Sequence, residues 1–126
     1  MDASALMPVL VNRPIRERIV DVIDSCSLLT PSVLPYEIGN ALTRLRKRRL
    51  LDDHDVMAAY NDFKEIPLDF LTVDFKRALI IACKYLIYAY DAYYLEVAER
   101  KRLPLLTLDG DMKKVAADLK LTVLEV

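Results

Sequence analysis

Short apolar runs bounded by proline, aspartate or glycine alternate along this chain with longer segments whose apolar residues recur every three or four positions. That alternation constrains the fold more than any other feature, because one period suits a strand and the other a helix. Residues 27–30, 67–73, 103–108 and 121–126 read as strand candidates, the second rich in β-favouring residues and the last alternating with period two. A first helix opens after Pro14 and carries Ile15, Ile19, Val22 and Ile23 to about Ser25. Ser32 is placed to cap a second helix with Leu34, Ile38, Ala41, Leu42 and Leu45 on one face. Asp52 and Asp53 begin a third that runs to Phe63. Phe75, Ala78, Leu79, Ala82 and Leu86 share one face of a fourth, and a break at 88–90 separates it from a fifth that starts near Asp91 with Ala92, Leu95 and Ala98. Residues 110–120 form the last helix. Strands that alternate with helices favour right-handed crossovers and a parallel sheet covered on both faces, a three-layer α/β/α sandwich whose ligands bind beyond the carboxyl ends of the strands.

At 126 residues the chain reads as a single domain over 1–126, long enough to bury a core without disulfides. Cys26 and Cys83 stand far apart with no second pair, so two reduced thiols in a cytoplasm are expected and a zinc site is not. No apolar stretch approaches the ~20 residues of a membrane span, and a soluble protein is expected. Two glycines in the whole chain exclude both the P-loop and the dinucleotide-binding fingerprint, each of which needs several in one loop. His54 is the only histidine, and nothing around it resembles a hydrolytic triad. With 18 basic and 19 acidic side chains, any attraction to nucleic acid must come from local patches.

The acidic residues are better placed than that balance implies. Asp2 and Asp109 fall at or near strand ends, and Asp91 falls at the start of a helix, where this architecture opens its ligand crevice. Glu37 lies at the margin of an apolar helix face, a costly place for a carboxylate without a compensating cation. Each has a bland alternative: a frayed terminus for Asp2, a solvated helix position for Glu37, a helix cap for Asp91, and the turn at Asp109-Gly110 for Asp109. The set of four carries more weight than its members.

Four segments then resemble one known family, the PIN-domain nucleases, and within it the VapC-type toxins of bacterial and archaeal toxin–antitoxin pairs. Asp2-Ala3-Ser4 is similar to the family's opening motif, and Glu37 followed by Asn40-Ala41-Leu42 is similar to its second. Tyr90-Asp91-Ala92, then Leu103-Pro104-Leu105-Leu106-Thr107-Leu108-Asp109, resembles the third and fourth acidic motifs at their usual separation. In that family the first aspartate ends a central strand, whereas only Met1 precedes Asp2 here. Either the start is set too late or the first strand is truncated, and a truncated strand would leave Asp2 on a mobile terminus.

The resemblance implies a metal-dependent endoribonuclease, the toxin of a pair, held inactive by a cognate antitoxin and assembled as a homodimer. Asp2, Glu37 and Asp91 would bind the metal, with Asp109 holding it or polarising the water of a second site. An all-carboxylate set suits Mg²⁺ or Mn²⁺, hard ions that activate water and neutralise phosphoryl charge. Ser4, Asn40 and Thr107 would orient those carboxylates by hydrogen bonds. Asp111 is a reserve ligand whose position at a helix start reads better as structural.

Arg44, Arg46, Lys47, Arg48 and Arg49 form a basic run at the end of the Glu37 helix, able to engage RNA phosphates or simply to complement the helix dipole. Arg100, Lys101 and Arg102 present the same choice. Tyr85, Tyr88, Tyr90, Tyr93 and Tyr94 suit a core or dimer surface, or base stacking. Two rivals to the nuclease remain: a PIN-like binding or assembly module that no longer cuts, and a phosphatase with an aspartyl nucleophile, supported only by Asp109-Gly110-Asp111.

Overall fold

The computed structural model describes all residues, 1–126. Its sheet is a parallel ladder of β1 (Leu28–Pro31) and β2 (Leu68–Leu71), with Leu28 opposite Leu68 and Pro31 opposite Leu71. One further parallel bridge joins Leu105 to Val123. Around it stand α1 (Ala3–Leu10), α2 (Arg16–Asp24), α3 (Leu34–Lys47), α4 (Asp53–Glu65), α5 (Phe75–Tyr85), α6 (Ala89–Lys101) and α7 (Gly110–Asp118). One helical group is α1 with α2, α3 and α4, and in the other α6 packs on β1, α5 and α7. The result is the three-layer α/β/α fold that the alternation implies.

Four local expectations need correction. The helix α1 has no counterpart in the periodicity, because it is short and contains Pro8; it forms because the Asp2 carboxylate accepts the Ala5 N–H at 3.3 Å. Ser32 does not cap α3. The N-cap is Val33, and the Ser32 hydroxyl instead donates to the Leu71 carbonyl across the ladder at 3.1 Å. The α6 helix starts at Ala89 with Tyr88 as N-cap, so Asp91 sits in its first turn and is no cap.

The fourth correction bears on the site, since 103–108 and 121–126 are extended without becoming regular strands. Leu105 exchanges two bonds with its neighbour, donating to Thr122 and accepting from Leu124, but Pro104 has no N–H to offer. Farther along, Leu108 N–H donates to the Ser4 hydroxyl and Asp109 N–H to the Thr107 hydroxyl. Side chains have taken the place of a partner strand.

Leu6, Ile19, Leu34, Ile81, Leu95, Leu105 and Met112 are fully buried in one apolar cluster, each worth about 1.5–3 kcal/mol. An ion pair between buried Glu96 and partly exposed Arg100 ties α6 to the connection between β2 and α5. Glu96, 1% exposed, accepts from Arg100 Nε at 2.7 Å and from the Asp74 N–H at 3.1 Å, while Arg100 Nη2 reaches the Thr72 carbonyl at 2.7 Å. Arg77 adds a bidentate pair to Glu99 at 2.8 and 2.9 Å.

Candidate active site

Met1 and Asp2 are wedged between β1 and the extended segment after Pro104. The terminal ammonium donates to the Leu29 carbonyl at 3.5 Å, Thr30 Oγ1 donates to the Met1 carbonyl at 3.2 Å, and Asp2 N–H donates to the Leu106 carbonyl at 3.1 Å. Asp2 is 5% exposed, so the expected mobile terminus is overturned: both flanking segments hold it.

The Asp2 carboxylate is held on both oxygens. Ser4 Oγ donates to Oδ1 at 2.7 Å and Thr107 Oγ1 to Oδ2 at 2.9 Å. Each hydroxyl has one proton, so their own 3.1 Å approach is not a third hydrogen bond. Burial pushes the Asp2 carboxyl above its usual range against these donors, which stabilise the charged form.

Glu37 lies in the first turn of α3, half-buried, with Tyr94 Oη donating to Oε1 at 2.8 Å. Burial raises its proton affinity, the Tyr94 hydrogen bond opposes that, and the charges of Asp2 and Asp91 add to it. Asp91 accepts no hydrogen bond and is raised by burial first, then by Asp109, Asp2 and Asp111. Asp109 caps α7, its Oδ1 accepting from Asp111 N–H at 2.8 Å and Met112 N–H at 2.9 Å. Gly110 is the first residue of that helix, so Asp109 is a helix cap and not the start of a turn, and its Oδ2 is left free. Asp2, Glu37, Asp91 and Asp109, drawn from across the chain, thus lie within one electrostatic neighbourhood, and none forms an ion pair.

Other candidates divide. Ser4 and Thr107 meet Asp2, whereas Asn40 is exposed and makes no hydrogen bond to Glu37. Arg44, Lys47 and Arg48 are exposed, but Arg46 is engaged by Asp53 at 2.6 Å, and Arg100 by Glu96. The basic run is therefore not one free cationic patch. Tyr94 escaped the sequence reading as a partner of the site. The signal was available, since it stands three residues after Asp91 on the same side of α6.

No three His, Cys, Asp or Glu side chains converge as a ready ligand set. The donor chemistry nevertheless fits a hard divalent cation. The free oxygens of Asp91, Glu37 and Asp109 are carboxylate oxygens without a cationic partner, and burial first, then mutual repulsion, raises the proton affinity of Glu37 and Asp91. A cleft of about 470 Å³ opens beside Glu37 and Ser4. A second cavity, about 340 Å³ and lined mostly by apolar residues such as Leu28, Leu29, Val97 and Leu105, reaches Met1 and Tyr94 behind the site but holds no carboxylate.

The fold is similar to the crystal structure of PAE2754 from Pyrobaculum aerophilum, with a TM-score of 0.67 and 27% identity over 90% of this chain and 82% of that one. No curated protein matches the chain. The family model described as PIN domain matches residues 1–118, a span that contains all four carboxylates and both hydroxyls that hold Asp2. The chain belongs to the PIN domain family, whose members are generally metal-dependent nucleases.

Proposed function

We propose that residues 1–126 form a single endoribonuclease domain that hydrolyses RNA phosphodiesters with Mg²⁺ or Mn²⁺, acting as the toxin of a toxin–antitoxin pair in the cytoplasm. The observation that carries this reading is a group of buried and half-buried carboxylates from distant parts of the chain with no cationic side chain to compensate them. Asp2, Glu37 and Asp91 would hold the metal, with Asp109 at its margin. The bound ion supplies Lewis acidity toward the phosphodiester and an activated water.

The chain's own residues do the positioning. Ser4 and Thr107 fix the Asp2 carboxylate plane, and Tyr94 fixes Glu37 Oε1, leaving Oε2 free. Asp91 is free on both oxygens. Carboxylates held in this way need not reorganise to receive a cation.

The same uncompensated acids suit inhibition in trans by an antitoxin arginine through bidentate hydrogen bonds. Phe75, Leu79 and Ile80 are exposed on α5, an apolar face consistent with a homodimer. Light scattering at micromolar concentration tests that association, and a monomeric mass across the range would remove it.

A PIN-like module that binds without cutting is the second reading, favoured by the absence of a converged ligand triad. Incubation of RNA with the parent and with Asp91→Asn, in Mg²⁺, in Mn²⁺ and in chelator, separates the two. Cleavage by the parent alone, lost in chelator, is expected. No cleavage by the parent under any condition would leave the binding module.

A further inference from the structure

We infer that the cleft between Tyr36 and Tyr90 seats an unpaired nucleobase of the RNA strand, beside the carboxylates. The inference takes its substrate from the nuclease reading and adds what part of the RNA is recognised. The cleft's volume of about 470 Å³ lies within the ~300–1,000 Å³ of small-ligand sites.

Each of two acidic residues follows a tyrosine: Tyr36-Glu37 opens α3 and Tyr90-Asp91 opens α6. One residue on a helix is a turn of about 100°, so the carboxylate faces the half-buried neighbourhood while the preceding ring stands at the mouth. Tyr36 is 78% exposed and Tyr90 55% exposed, and both line the cleft. Neither ring belongs to the core, and neither hydroxyl hydrogen-bonds to the protein. Large exposed aromatic rings on opposite helices present the faces on which bases stack.

Tyr90 is also held in place. Its ring meets Tyr93 edge to face at 5.9 Å and 81°, and Tyr93 meets Phe75 in the same way at 5.5 Å. Along α3, Glu37, Asn40 and Arg44 follow one another at helical spacing, and all three line the cleft. Asn40 offers an amide to a base edge, and Arg44, which has no ion-pair partner, offers a guanidinium to the adjoining phosphate. Stacking faces, an edge reader and a phosphate anchor next to the acidic group suit a base that is out of a helix. Bases stacked within a duplex have no face to offer.

The test is binding of a short unpaired oligoribonucleotide, end-labelled for fluorescence anisotropy, in chelator so that cleavage cannot interfere. Steady-state cleavage in Mn²⁺ runs beside it. Tyr36→Ala and Tyr90→Ala should each weaken binding about 5- to 100-fold and raise KM more than they lower kcat. Tyr90→Phe should bind like the parent, because stacking needs the ring and not the hydroxyl. A duplex of the same sequence should bind weakly and respond little to either change. Both tyrosines are exposed, so circular dichroism should show unaltered folding.

Alanine variants that bind unpaired RNA as the parent does would overturn the inference while leaving the nuclease reading intact. Tyrosine-dependent binding by a parent that cuts nothing would keep the base seat and remove the nuclease. A parent that binds no RNA would remove the seat. Alanine variants that lower the molecular mass and leave RNA binding alone would assign the rings to a second copy of the chain, also against the inference.

Discussion

Replacing Asp91 by asparagine separates repulsion from function, because Asp91 makes no hydrogen bond or ion pair that the change would break. Burial holds its carboxyl above the usual range, and the charges of Asp109, Asp2 and Asp111 raise it further. Removing one negative charge relieves that repulsion. Between partly exposed charges the gain is on the scale of an exposed ion pair, about 0.2–1 kcal/mol. At this chain length 1 kcal/mol moves Tm by about 3–5 °C, so metal-free Asp91→Asn should melt level with the parent or up to ~5 °C higher. Metal reverses the order. Mn²⁺ at about a hundred times its Kd adds ~2.7 kcal/mol to the parent, roughly 10 °C, and the variant should lose most of that increment. RNA cleavage should fall by at least ~100-fold, beyond the effect of disturbing a group that merely supports a ligand. The assay is a pair of melting curves, with and without Mn²⁺, beside a cleavage time course. A metal-free variant melting well below the parent would mean that Asp91 holds the fold. A parent that Mn²⁺ does not shift, or a variant that cuts at the parent's rate, would refute the metal centre.

Three further outcomes follow from the same contacts. Thr107→Val removes the donor to Asp2 Oδ2 and the acceptor of Asp109 N–H, so urea unfolding should show a loss of about 2–4 kcal/mol, and a double-mutant cycle with Asp2→Asn should show coupling above ~0.5 kcal/mol. Asp2, Glu37 and Asp91 bind protons more tightly folded than unfolded, so stability falls as pH rises through the raised values. The metal-free parent should therefore gain stability as pH falls from neutrality toward the usual carboxylate range, less so in Asp91→Asn, with melting curves as the check. Below the usual carboxylate range the trend reverses, because Glu99, lowered by its hydrogen bonds from Arg77, loses its contribution as it protonates. Glu96→Ala leaves the Asp74 N–H without its acceptor and Arg100 with only the Thr72 carbonyl, and denaturant unfolding should register a loss of about 1–3 kcal/mol.

Local pattern determined a good deal of this protein. The spacing of Leu34, Ile38 and Leu42 determines α3 and its buried face, and the acidic start at Asp52 determines α4, because both depend on neighbours within a turn or two. The parallel α/β class also follows from the order of short and long apolar segments. The four carboxylates and the hydroxyls of Ser4 and Thr107 are legible as motif positions from the sequence.

Contacts between distant segments were not legible. Asp2 is buried only because Leu29 lies on one side of Met1–Asp2 and Leu106 on the other. The extended run at 103–108 lacks a regular ladder because Pro104 has no N–H and Ser4 captures that of Leu108, while Thr107 takes the next one, from Asp109. Arg46 joins Asp53 rather than a free basic patch, Tyr94 reaches Glu37 across 57 residues, and Tyr36 and Tyr90 line one cleft from different helices. The physical reason is range: periodicity and capping are set within one or two turns of chain, whereas burial, charge repulsion and side-chain partners depend on which segments the core brings together.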